Sequence, residues 1–241
     1  MGQVPQTPQE CGNFLLSNLP LEDYQALLPD LELIQTPLHM VVFERGSVMP
    51  YAYFPISGQY SILAPMKDGG MVEVGTVGFE GFTAVDLLTG GDVASESTVC
   101  EVPGEALRMP AAAFQDQLSR NGALLRITLR YFQAYLAQVS QSVACNALHS
   151  IDQRFARWVL MCHNRARGRP FQLTQEYLAS MLGVHRPTVS VTAKAYQDAG
   201  VVQYSRGVIT VLDQKRLEEA TCECYDVVIN QFERFLGKRI A

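Results

Sequence analysis

From Tyr131 to Ile151 the chain carries no Asp, Glu, Lys or Arg, and apolar residues recur through this region at helical spacing. Leu125, Leu129, Phe132, Leu136, Val139 and Val143 step alternately by four and three, which is the a/d seam of a heptad repeat. A second row, Ile127, Tyr131, Ala134, Gln138, Gln141, Cys145 and Leu148, takes the same steps on another face. A helix apolar on two faces must bury both. One face can pack on the rest of the chain. The other needs a partner, and a second copy of the same helix supplies one. A central core helix in a monomer would give a similar pattern, but a sustained heptad favours a dimer through this seam.

The segments flanking this helix differ in kind. Residues 13–33 read as short helical pieces, with Asn13 and Ser17 as caps and Pro20 and Pro29 as breaks. Between Thr36 and Pro110, short β-branched and aromatic runs alternate with glycines at Gly46, Gly58, Gly70 and Gly81. That spacing suits the strands of a small antiparallel roll whose turns need positive φ. Asp68-Gly69 reads as a hairpin turn, and Gly75 and Gly78 as turns or bulges. Residues 150–168 form a further helix, and Val201–Leu212 alternates as two strands around Arg206-Gly207. A last helix is expected from about Asp213 to Leu236.

Charge is unevenly spread. Residues 1–149 hold 6 Lys and Arg against 15 Asp and Glu, whereas residues 150–212 hold 8 against 3. An acidic front and a basic segment late in the chain point to a surface for a polyanion. Inside that segment, Gln175, Ala179, Gly183 and Val189 have helix-turn-helix spacing. The small residue lets two helices cross, the glycine takes a left-handed turn, and Leu178, Leu182, Val184 and Val189 bury the shared face. The second helix, about His185–Ala199, presents His185, Arg186, Pro187, Thr188, Ser190 and Lys194 outward. Arg186 can reach guanine with two parallel hydrogen bonds, and Ser190, Thr188 and Lys194 can meet phosphates or base edges. Thr174, Gln175 and Arg206, from the first helix and the wing turn, complete the expected DNA-binding set.

In this order, roll, heptad helix, helix-turn-helix and wing, the chain resembles the CRP/FNR superfamily of bacterial transcription regulators. The resemblance rests on Tyr53-Phe54-Pro55-Ile56-Ser57-Gly58-Gln59, on Glu73-Val74-Gly75 with Gly78-Phe79-Glu80-Gly81, and on Leu173–Gly183 followed by Val184-His185-Arg186-Pro187-Thr188-Val189-Ser190. It implies an α+β fold with an N-terminal antiparallel β-roll of cyclic-nucleotide-binding type over residues 1–120. A dimerisation helix over 121–149 and a winged helix-turn-helix with a C-terminal helix over 150–241 follow. It also implies a homodimer on a near-palindromic double-stranded DNA site, with RNA polymerase as a partner if the chain activates transcription.

The departures from that pattern concern the effector. Cyclic-AMP-binding members carry a Gly-Glu pair and then an arginine in the roll. Here Gly81 is followed by Phe82, and no arginine occurs between Lys67 and Arg108. The effector pocket is expected at Gly81, Phe82, Thr83, Ala84, Ser95 and Ser97, without affinity for cyclic AMP because its phosphate would lack a cation beside Asp86, Asp92 and Glu96. Iron–sulfur members carry an N-terminal cysteine cluster, whereas Cys11 is the only cysteine among the first 99 residues. His39, His149 and His163 show no pairing that marks a haem. The cofactor stays undefined.

The six cysteines, Cys11, Cys100, Cys145, Cys162, Cys222 and Cys224, form no CxxC and no Cys/His set with zinc spacing, so no metal ligands are expected. Cys222-Glu223-Cys224 is read as part of the last helix, with its thiols about 200° apart and packed against the wing or the dimer helix. No nucleophile–base pair, P-loop, GxSxG or HExxH occurs, so an enzyme is not expected. Met1–Cys11 has no Lys, Arg or apolar core to mark a signal peptide. The uncharged stretches Gly46–Met66 and Tyr131–Ile151 hold too many prolines, serines, glutamines and asparagines to enter hydrocarbon, so a cytoplasmic chain without membrane contact is expected. The leading reading is a sequence-specific DNA-binding regulator. The alternative is a ligand-binding or interaction module whose helix-turn-helix docks a partner protein.

Overall fold

The structure, a computed structural model, describes residues 3–67 and 69–237. Two short helices open it, α1 (Phe14–Ser17) and α2 (Leu21–Leu27). The Asn13 side chain caps α1 by accepting from Leu15 and Leu16 N–H, and its amide donates to the carbonyls of Pro55 and Gly81, pinning the helix to the roll. Pro20 and Pro29 bound α2, as the sequence suggested. The chain then turns extended earlier than expected, in β1 (Glu32–Thr36).

β2 (Val41–Phe43), β3 (Tyr51–Pro55), β4 (Gln59–Pro65), β5 (Met71–Val77), β6 (Ser97–Val102) and β7 (Gly104–Pro110) complete the roll. They form antiparallel sheets ordered β1-β7-β3 and β2-β6-β4-β5. Ala52, Phe54, Leu63, Cys100, Leu107 and Met109 are fully buried between them. Gly46 and Gly58 take left-handed φ in turns as expected, but Gly81 does not. A Cβ on Gly81 would lie 2.2 Å from the Tyr131 ring, so its small size serves close packing instead. Gly75 sits at a register shift in the β4–β5 pair, the bulge that its position in a strand suggests. Asp68, the first residue of the expected hairpin signal, lies outside the described residues.

α3 (Ala111–Ser119) leads to α4 (Ala123–Leu148), the long helix of the heptad stretch. α5 (Ile151–Arg165) follows, capped by Ser150. A short strand β8 (Phe171–Gln172), not foreseen, begins the C-terminal unit. α6 (Gln175–Leu182) and α7 (Arg186–Asp198) form the helix-turn-helix, with Gly183 at φ 61° between them. β9 (Val202–Ser205) and β10 (Val208–Val211) form the wing, and β10 also pairs with β8. Arg206 and Gly207 both have positive φ, at 51° and 75°, the requirement of a type I′ hairpin turn.

The single last helix that the sequence suggested is two: α8 (Gln214–Glu219) and α9 (Cys224–Leu236). Asp213 caps the first by accepting from Arg216 N–H. Residues 220–223 break the run, and this lets α9 turn back and pack along α4. Among the described residues, no helix is long and apolar enough to cross a membrane.

Candidate nucleic-acid interface, sensor cavity and helix seam

α7 presents its first residue to solvent: Arg186 is 61% exposed. Thr174, Gln175, Glu176, Arg186, Tyr204, Arg206 and Gly207 line one open cleft of about 400 Å³, so the start of α7 and the wing turn converge on the same space. The Arg186 Nε lies 3.0 Å from Glu176 Oε1, an exposed pair. Such a pair contributes about 0–1 kcal/mol, so it can open cheaply toward another acceptor. Pro187 occupies the first turn of α7, where its missing N–H costs nothing. His185 is the N-cap residue, and His185, Thr188 and Lys194 are exposed. Lys194 is loosely paired with Asp198 at 3.6 Å.

Other expected contacts have internal duties. The Thr174 hydroxyl accepts from Tyr177 N–H and caps α6. The Ser190 hydroxyl donates to Gln175 Oε1 at 2.6 Å, which locks α7 against α6. The expected contact set omits two members of this surface. Glu176 pairs with Arg186, and Val191 stands 71% exposed on α7. The signal for Val191 was available: it lies four residues before Ala195 and two after the buried Val189, on the opposite face of the helix.

A second cavity, of about 270 Å³, lies between the roll and α4. Of the expected effector residues, Phe82, Thr83, Ala84 and Ser95 line it. Gly81 and Ser97 do not. Gly81 faces the Tyr131 ring. Ser97 alternates to the other face of β6, where its hydroxyl accepts from Arg45 N–H, and Thr98 lines the cavity in its place. The walls are apolar, with Phe43, Met49, Ile62 and Val77 among them. Asp86 and Glu96 supply the charged groups, and among the described lining residues there is no Lys or Arg. The Ser95 hydroxyl donates to Asp86 Oδ1, and burial raises the Glu96 carboxyl above its usual range against the pull of Arg45.

The heptad seam divides from the second row over most of the helix, although Leu148, the last residue of that row, is 79% exposed. Tyr131, Ala134, Gln138 and Cys145 of the second row are buried, with Gln138 donating to the Thr76 carbonyl. The seam residues Leu129, Leu136 and Val143 are 45%, 54% and 65% exposed, and Leu125, Phe132 and Val139 are half-buried. Phe132, Leu136 and Val139 also line this cavity, so the cavity wall and the seam share side chains.

Two readings of the cysteines are corrected. Cys222 precedes α9 rather than lying on it, so its thiol and that of Cys224 are not held apart by helical rotation. The expectation of no Cys/His set also fails in space. The fold brings Cys145, His149, Cys222 and Cys224 together although their sequence spacing is not that of a zinc motif. Of the two packing partners expected for the last helix, α4 is the one it meets.

Residues 153–220 match the family model of the Crp-like helix-turn-helix domain. No curated protein matches the chain. Among solved structures, FixK2 from Bradyrhizobium japonicum superposes with a TM-score of 0.66 at 12% identity, covering 80% of this chain and 98% of its own. The c-di-GMP-responsive global regulator CLP from Xanthomonas campestris gives 0.62 at 18%, covering 80% and 99%. A CRP-family transcriptional regulator from Thermus thermophilus gives 0.62 at 15%, covering 86% and 98%. The fold is thus the α+β fold of CRP/FNR-type regulators, ending in a Crp-like helix-turn-helix.

Proposed function

We propose that the chain is a homodimeric, sequence-specific DNA-binding transcription regulator of CRP/FNR type, whose effector is not cyclic AMP. The carrying observation is the convergence of an exposed Arg186 at the start of α7 with Arg206 on the wing turn, within residues 150–212, which hold 8 Lys and Arg against 3 Asp and Glu. With α7 in the major groove, Arg186 reads guanine and Lys194 and Arg206 meet phosphates. Val191 supplies an apolar contact of the kind that recognises a thymine methyl. The exposed seam on α4 pairs two such units, which places two half-sites in one near-palindromic target. The reading is of a regulator and not of an enzyme.

The sensor cavity supports an effector that is neutral or cationic and largely apolar. A phosphodiester would lie beside Asp86 and Glu96 with no cation among the described lining residues. The c-di-GMP response of CLP therefore does not carry over. The test is DNA binding as a function of salt. Affinity for a selected site should fall steeply and linearly on a log–log plot between 50 and 200 mM salt, as counterion release demands, on the order of 10³-fold for a six-phosphate footprint. Retention by an immobilised protein partner with no measurable DNA affinity would overturn the reading.

A further inference from the structure

Four side chains from two distant stretches of sequence meet where the end of α4 reaches the start of α9. Cys145 is fully buried in the last turn of α4, and His149 is the residue that ends this helix. Cys222 is buried in the turn before α9, and Cys224 is the first residue of α9. Their donor atoms all lie within 4.8 Å of one another. Cys145 Sγ is 3.6 Å from Cys222 Sγ, and Cys224 Sγ is 3.4 Å from His149 Nδ1.

We propose that Cys145, His149, Cys222 and Cys224 form a closed, mononuclear, tetrahedral site for a divalent d¹⁰ cation, zinc foremost. Zinc–sulfur bonds of about 2.3 Å and zinc–nitrogen bonds of about 2.0–2.1 Å give tetrahedron edges of roughly 3.5–3.8 Å. The two edges above have those lengths within a few tenths of an ångström. Three thiolates and one imidazole are a structural zinc set, with no position left open for substrate.

The surroundings are those of a ligand shell. His149 Nε2 lies 3.2 Å from Glu223 Oε2, which directs the ring proton to Nε2 and leaves the Nδ1 lone pair facing Cys224. A carboxylate behind a ligating histidine orients the ring and raises its basicity. Gln141 Nε2 donates to Cys224 Sγ at 3.0 Å, an outer partner that holds this sulfur in place.

Two simpler accounts explain less. Packing of three small apolar thiols does not require their sulfurs and an imidazole nitrogen to converge on one point. A Cys145–Cys222 disulfide would need closure from 3.6 Å to about 2.05 Å and would leave Cys224, His149 and Glu223 without a role. A cluster of several irons would hold its ligands further apart. The bound ion would staple α9 to α4 across 77 residues of chain and add its binding energy to folding.

The test uses the full-length protein, freed of metal with a chelator and titrated with cobalt(II) under reducing conditions. One cobalt should bind per chain with strong thiolate-to-cobalt charge-transfer bands and the intense visible spectrum of tetrahedral cobalt, and zinc should displace it. Glu223→Ala should weaken cobalt binding roughly 10–100-fold at unchanged stoichiometry. Cys222→Ser should abolish the tetrahedral spectrum, whereas Cys100→Ser, outside the cluster, should leave it intact. His149→Cys should keep one cobalt per chain with stronger charge-transfer bands, a gain that misfolding cannot imitate. Substoichiometric or octahedral cobalt, a spectrum untouched by Cys222→Ser, or iron with sulfide in anaerobically purified protein would each overturn the assignment.

Discussion

Arg165, at the end of α5, places its Nη2 2.6 Å from Glu80 Oε1, and both side chains are shielded from water, at 4% and 0% exposure. The same guanidinium donates to Gln59 Oε1 and Thr76 Oγ1, so the end of α5 is anchored inside the roll. Gly78 is part of this joint, because a Cβ there would lie 2.6 Å from Arg165 Cδ. A buried pair is costly to break, since the surviving charge has no solvent. Arg165→Met should destabilise the protein by about 3–5 kcal/mol in urea unfolding. Adding Glu80→Gln should recover part of that loss. A double variant no more stable than the single one would contradict this account.

A second tie across the same joint is sensitive to pH. Glu73 accepts from Trp158 Nε1 at 2.9 Å and from the Ser61 hydroxyl, and burial pushes its carboxyl from 4.5 up to about 7. A carboxyl whose pKa is raised on folding binds its proton more tightly in the folded state. Its contribution to stability is therefore complete below about 4.5 and is lost as pH rises to about 7. Glu73→Gln imitates the protonated acid. The variant should lack that decline, which melting temperatures recorded from pH 4.5 to 8 will show. An unchanged slope would place the titration elsewhere.

Much of the fold was legible because its signals are periodic and local. The Leu125–Val143 seam separates from the buried row because both follow helical period. Thr174, Gly183 and Pro187 mark the helix-turn-helix through capping, a left-handed turn and a first-turn proline. What escaped was set by long-range contact. Arg165 and Glu80 are 85 residues apart, and neither has a local pattern that names its partner. Cys145 and Cys222 are 77 apart, and only the break before α9 brings them together. Ser97 was misplaced by one residue, which in a strand exchanges one face for the other. The two-residue β8 is too short to carry any period.

The seam predicts the oligomeric state. Leu129 and Leu136 are two of the exposed apolar knobs of α4, and charging them should block pairing of two copies while leaving the buried row untouched. In sedimentation, Leu129→Glu with Leu136→Glu should give monomers, and the same variant should lose DNA binding. A variant that stays fully dimeric would locate the interface elsewhere.

The cavity predicts what does not bind. Cyclic AMP brings a phosphate anion to walls that carry Asp86 and Glu96 and, among the described lining residues, no Lys or Arg. Calorimetric titration with micromolar nucleotide should register no binding. Tight binding that sharpens DNA affinity would show that a cation reaches the cavity from outside its present lining.

The contact surface predicts two kinds of DNA variant. Arg186 is freed for base contact at the expense of one exposed pair with Glu176, and its planar guanidinium donates in parallel to guanine as lysine cannot. Arg186→Ala should cost roughly 1–3 kcal/mol per half-site and flatten preference at one base pair. Lys194, two helical turns on and paired only loosely with Asp198, is placed for phosphate. Lys194→Ala should weaken all sequences about equally and lower the salt slope by about one per site. Glu176→Ala supplies the control, because it releases Arg186 without removing it, and affinity should hold or rise. A homodimer applies each change twice, so gel-shift titrations over matched and mismatched sites will resolve them. If Arg186→Ala leaves base preference intact while Lys194→Ala alters it, the register of α7 in the groove is wrong.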